Sequence, residues 1–123
     1  MAKMKEKRIN VIAYLSTDGN MYSAPVKEKK QFRYIKEYAS AHNIRISKVI
    51  HRDIAGNMDV VKHFRKMARI VETDIDIDGV IVANTEAISA SIADAYYKVG
   101  LIVEVGGTFI SVDEGRLVLR REA

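Results

Sequence analysis

Residues Ile9, Val11, Ile12, Ala13, Tyr14 and Leu15 form a dense apolar run, preceded by Arg8 and stopped by Ser16-Thr17-Asp18-Gly19. A run of this length, with charge before it and turn formers after it, reads as a strand buried on both faces. A strand covered on both sides requires helices above and below its sheet, and this constrains the rest of the chain most. Sheets of that kind place their sites just beyond the carboxyl ends of their strands. What this strand delivers there is a hydroxyl, that of Ser16.

A chain of 123 residues makes one domain with one sizeable core and little room for a second. The expected division is a flexible basic N-terminus over 1–7, a single α/β domain over 8–119 and a charged tail over 120–123. An apolar fraction of 48% beside 29% charge is ordinary for a globular protein. No apolar stretch approaches a membrane span or a secretory signal, so a soluble cytoplasmic protein without membrane contact is expected. Cysteine is absent, which excludes a thiolate nucleophile and a cysteine metal cage. Three scattered histidines, His42, His51 and His63, do not rebuild a zinc site, and no metal or cofactor is expected.

Charge is distributed unevenly. Residues 1–52 hold 12 Lys/Arg against 4 Asp/Glu, and residues 53–123 hold 8 against 12. The first half is thus net +8 and the second net −4. A basic half can attract nucleic acid or another polyanion, although charged helix faces are commonly just solvated. Aromatic interleaving is thin, because Tyr22, Phe32, Tyr34 and Tyr38 fall mainly at helical spacing, which favours packing over base stacking.

After the first strand, Asp18-Gly19-Asn20 turns the chain, and Ser23 with Pro25 marks a helix start. Phe32, Ile35, Ala39 and His42 share one face, which predicts an amphipathic helix from Val26 to His42. Ile44, Ile46, Val49 and Ile50 lead to His51-Arg52-Asp53 as a second strand with mixed alternation, and Gly56-Asn57 turns next. Asp59 caps a predicted second helix that carries Val60, Val61, Phe64, Met67, Ala68 and Val71 and closes near Glu72. Gly79 to Ala83 is a third buried strand, ended by Asn84 and Thr85. Ile88, Ile92, Ala95, Val99, Ile102 and Val103 share a helical face, which predicts one helix from Glu86 to Val105, stopped by Gly106-Gly107. Thr108 to Val112 is the fourth strand, Asp113-Glu114-Gly115 turns the chain, and Leu117 to Leu119 is a short edge strand. The expected fold is therefore α/β, with three layers: an open, mainly parallel sheet, helices on both faces and a short antiparallel C-terminal edge. Ser16, Asp53 and Asn84-Thr85 then meet at one edge of that sheet.

Ser16-Thr17-Asp18 after a buried first strand, followed by Gln31-Phe32-Arg33-Tyr34-Ile35-Lys36-Glu37-Tyr38-Ala39, resembles the opening of the serine recombinase (resolvase/invertase) catalytic domain. Asp53-Ile54-Ala55-Gly56 resembles that family's turn after its second strand, and Gly106-Gly107-Thr108-Phe109-Ile110-Ser111-Val112 resembles its fourth strand. The similarity spans Arg8 to Glu114 and is carried more by order and spacing than by one motif. It implies a resolvase-like fold in which a serine attacks a phosphodiester, forms a covalent phosphoserine link to DNA and relies on several arginines to hold the phosphate. Ser16 stands at the nucleophile position.

The arginines do not follow. Where the family pattern is Tyr-x-Arg-x-Ser, this chain reads Ile12-Ala13-Tyr14-Leu15-Ser16, with Tyr14 in the arginine position. Val61 stands where a second arginine is expected, and Asn84-Thr85-Glu86-Ala87-Ile88 aligns with an Asp-Arg-Leu-Gly-Arg motif. The family's dimer-forming helix and DNA-reading domain would follow Arg121, so the oligomeric state stays open. Three readings are carried forward. In the first, the chain is a recombinase-like module whose Ser16 chemistry is lost or weakened, acting as a partner or regulator through contacts with DNA or a related recombinase. In the second, it is an active strand-cleaving enzyme using Ser16 with cations from Lys62, Arg52 or another chain. In the third, it is a flavodoxin-like small-molecule binder using the same edge.

Two further patterns are weighed and set aside. Ser16, His51 and Asp53 are the residue types of a hydrolase triad, but no nucleophile-elbow pattern surrounds Ser16. Asp74-x-Asp76-x-Asp78-Gly79 opens like a calcium loop, yet its twelfth position is Thr85 and a buried strand follows. Ser89 and Ser91 suit solvated or capping roles.

Overall fold

A computed structural model of the chain describes residues 8–17, 23–52, 60–89 and 91–117. The expected N-terminal extension, the turns at Asp18-Gly19-Asn20 and Gly56-Asn57, Asp53, the Asp59 cap and the strand beyond Leu117 lie outside these residues. The elements run β1 (Ile9–Leu15), α1 (Ala24–Ala41), β2 (Ile44–His51), α2 (Val60–Thr73), β3 (Gly79–Val82), a 3-10 turn (Thr85–Ala87), α3 (Ile92–Val103), β4 (Thr108–Ser111) and β5 (Gly115–Leu117). They form a five-stranded sheet in the order β2-β1-β3-β4-β5. Every pairing is parallel except β4 with β5. This is the architecture expected from the sequence.

Alternation along β1 divides the core in two. Val11, Ala13 and Leu15 face α1 and pack with Ile35, Ile81 and Ile110. Ile12 and Tyr14 face the other way, into a cluster with Phe64 and Met67 of α2, Val99 and Ile102 of α3, and Phe109. Because side chains alternate with period two, the same strand supplies both cores, so β1 is apolar at every position from Val11 to Leu15.

The mixed alternation of β2 has a local cause. Its register against β1 slips between Val11 and Ile12, so that Ile46 faces Val11 but Lys48 faces Ile12, leaving Ser47 as an extra residue. One inserted residue exchanges the faces of everything after it. Ile44 and Ile46 accordingly pack on the α1 side, whereas Ile50 packs with the α2–α3 cluster.

The single helix expected from Glu86 to Val105 is two elements. Asn84 Oδ1 accepts the backbone N–H of Ala87 and closes the 3-10 turn, and Ser91 Oγ accepts that of Asp94 and starts α3. Each cap takes up an N–H that a continuous helix would use for its own ladder, so two caps seven residues apart enforce a break. The helical face from Ile92 to Val103 is correct, and Leu101-Ile102-Val103 is helix rather than strand. Gly106, with φ of 84°, turns the chain beyond it, which is the left-handed stop that glycine provides.

Gly79 is required where β3 meets β4, since a Cβ there would stand 1.9 Å from the Thr108 carbonyl oxygen. Among the described residues no helix is long and apolar enough to cross a membrane.

Candidate active site

Ser16 lies one residue past β1, 1% exposed, at the carboxyl edge of the sheet. Its backbone is held from both sides. The Arg52 N–H donates to the Leu15 carbonyl at 2.8 Å, extending the β1–β2 ladder by one step. From α1, the Gln31 amide accepts from the Ser16 N–H and donates to the Ser16 carbonyl, both at 2.9 Å. The side chain thereby imitates a neighbouring strand where the sheet has run out of one.

The Ser16 hydroxyl has no such partner. Its Oγ and the Thr17 Oγ1 are buried and make no hydrogen bond among the described residues. They border a hollow of about 320 Å³ lined also by Gln31, Arg52, Asn84, Glu86 and Ala87. Arg52 is the one cation in that described lining, and Glu86 is its one carboxylate. Lys62, the other cation considered from the sequence, does not line it. A second hollow of about 440 Å³ shares Arg52, Glu86 and Ala87 and continues between α2 and α3 past Val61 to Asp94 and Lys98.

Lys98 is the one buried cation at this end of the second hollow among the described residues, and it is engaged twice. Its Nζ donates to Asp94 Oδ2 and to the Ile88 carbonyl, each at 2.5 Å. The Lys98 ammonium, aided by the Ser89 hydroxyl at 2.6 Å, holds the Asp94 carboxyl below its ordinary value. Ser89 and Ser91 thus serve the start of α3, as the sequence suggested.

Tyr14, at the position where the resemblance asks for an arginine, points away from the hollow into the core. Its hydroxyl is hydrogen-bonded to His63 Nδ1 at 2.7 Å, and its ring meets Phe64 edge-on at a centroid distance of 5.4 Å. Val61 borders the second hollow and Ala87 both. Asn84 reaches the Ser16 hollow as expected, but Thr85 turns toward β5, its N–H donating to Glu114 at 2.9 Å. Asp53 lies outside the described residues.

The two patterns set aside from the sequence have structural uses. His51 sits on the α1 side of β2, its Nδ1 paired with Glu28 at 2.9 Å. Asp78 accepts the Asn10 N–H, and Asp74 accepts that of Asp76.

Sequence reasoning assigned no role to Gln31, although a signal was present. It lies one turn before Ile35 and two before Ala39, a polar residue on the buried stripe of α1, and such a residue needs a partner.

No protein-family model and no curated protein matches the sequence. Solved structures do match. A resolvase family site-specific recombinase from Streptococcus pneumoniae aligns with a TM-score of 0.72 and 15% identity, over 88% of this chain and 74% of that one. The N-terminal catalytic domain of TP901-1 integrase aligns with a TM-score of 0.63 and 20% identity, over 86% and 78%. The C-terminal catalytic domain of ISC1926 TnpA, an IS607-like serine recombinase, aligns with a TM-score of 0.62 and 17% identity, over 85% and 70%. With the sheet order, the two-sided core and the serine at the end of β1 already in place, these alignments establish that the chain has the fold of a serine recombinase catalytic domain.

Proposed function

We propose that this chain is a recombinase-like module that keeps the nucleophile position of its fold with its chemistry severely weakened, and that it works through contact with DNA or with a recombinase. One observation carries the reading: the Ser16 hydroxyl borders a hollow whose described lining holds a single guanidinium, Arg52, opposed by a carboxylate, Glu86. A transferring phosphoryl group spreads negative charge over its oxygens and needs several fixed cations or donors around it. Loss of one such donor costs about 3–4 kcal/mol of barrier. The neighbouring segments 18–22 and 53–59 contain no lysine or arginine to make up the deficit.

The test is a trapping experiment on nicked duplex DNA with the full chain. No covalent protein–DNA species should form, and the native chain and Ser16→Ala should be indistinguishable. A phosphoserine adduct at Ser16 would overturn the reading. If that adduct also vanished in Arg52→Ala, the enzyme would be an active one built on a single arginine.

A further inference from the structure

We infer that the outer edge of β2, with the groove between β2 and α1, accepts an acidic extended segment of a partner protein as an added strand. This does not depend on whether Ser16 reacts. β2 is the outermost strand of the sheet and runs for eight residues, paired on one side only among the described residues. An edge of that length presents a row of main-chain donors and acceptors that a strand of another chain can use.

The groove beside it is the roomiest hollow described above or here, about 550 Å³. Phe32, Ile46 and the exposed Val49 supply apolar surface and Arg8 and Lys36 supply charge, while Lys48, paired with Ile12, adds a cation from the other face of the same edge strand. Among the described residues no carboxylate lines it. The segment that builds this edge has the same sign: the described part of 8–52 carries nine Lys/Arg and two Asp/Glu. One of those two, Glu28, is occupied by His51.

Charge decides the occupant. A second copy pairing edge to edge would bring the stretch carrying Arg45 and Lys48 against its twin's, and like charges held that close repel. The bulge at Ser47 and these two cations therefore keep copies apart and leave the edge to a strand of opposite sign. A phosphate backbone would satisfy the cations but has no use for main-chain groups or for Phe32, Ile46 and Val49. A segment alternating acidic and apolar residues satisfies all three.

The experiment uses the full chain and a blocked, labelled peptide of alternating Glu and Val, equal in length to β2. Saturable binding is expected by anisotropy, with new amide-exchange protection across 44–51. A Lys–Val peptide should not bind. The Glu–Val peptide with alternate backbone nitrogens methylated keeps its charge but loses its donors, and should bind about tenfold more weakly or worse. Lys36→Glu with Lys48→Glu, both at exposed positions, should cost about tenfold. Equal binding of the methylated peptide would overturn the proposal. So would duplex DNA binding where the peptide does not, or a free protein that sediments as a dimer with its β2 amides already protected.

Discussion

Tyr14 and Ser16 stand two residues apart on the same strand, are each 1% exposed and each carry a hydroxyl, yet their surroundings differ. Tyr14 is hydrogen-bonded to His63 and wedged against Phe64. Ser16 Oγ meets no donor or acceptor among the described residues. Nor is this how the fold treats buried hydroxyls elsewhere, since Ser111, at 0% exposure, donates to Glu114 at 2.5 Å. Leaving a buried hydroxyl without a bond costs about 1–3 kcal/mol. A strand that satisfies one such group and not its neighbour is spending its polar pairing on the core rather than on its open end. Where the sequence resemblance asks for an arginine, this chain has a side chain that packs against α2.

The severest way to break this contrast is Tyr14→Arg. It would place a guanidinium where His63 and Phe64 have filled the space, and an uncompensated buried charge costs about 3–5 kcal/mol. We expect a fall in Tm well beyond 10 °C or a failure to fold, read by circular dichroism, at about 4 °C per kcal/mol. A stable, cooperatively folding variant would show that the core does not depend on Tyr14. If that variant also gained a Ser16–DNA adduct, one side chain would separate the present site from a working one.

Gln31→Ala is the next test, and it probes what holds the Ser16 end in place. Both bonds from its amide go to the Ser16 backbone, and each such bond contributes about 1 kcal/mol. A loss of about 2 kcal/mol in urea denaturation is expected, together with faster amide exchange at Ser16 itself. Gln31→Glu should recover little, because a carboxylate can accept from the Ser16 N–H but cannot donate to its carbonyl. Full recovery would mean that Gln31 acts through solvation rather than through this paired geometry.

The strands, the mainly parallel sheet and its helical cover on both faces were legible in sequence because burial on both sides leaves a continuous apolar run, as Val11 to Leu15 shows. The parity change in β2 was visible only as mixed alternation, since Ser47 looks like any other strand residue until its partner strand is known. The break before α3 was hidden for a different reason. Ile88 continues the apolar stripe and is buried, so hydrophobic period outweighed the capping signals of Asn84 and Ser91. At the site, the serine was legible from its place after β1. The engagement of Lys98 by Asp94 and Ile88 was not, because it joins a side chain to a carbonyl ten residues away.

The smallest expected effect is the most discriminating, because it sets the two hydroxyls of β1 directly against each other. Tyr14→Phe removes a buried hydrogen bond to His63 and should lower stability by about 1 kcal/mol. Ser16→Ala removes a hydroxyl that has given up water without finding a bond, so its loss should leave stability unchanged or raise it by about 1 kcal/mol. Paired urea denaturations of the two variants measure the difference directly. If Ser16→Ala were the more destabilising, its Oγ would have a partner in solution. The natural candidate would then be an ordered water or anion in the hollow beside Arg52, and the site would be better furnished for phosphate than its lining suggests. A native chain that gains stability as inorganic phosphate is added, where Ser16→Ala does not, would identify the anion, since a bound ligand stabilises more as its concentration rises above its Kd.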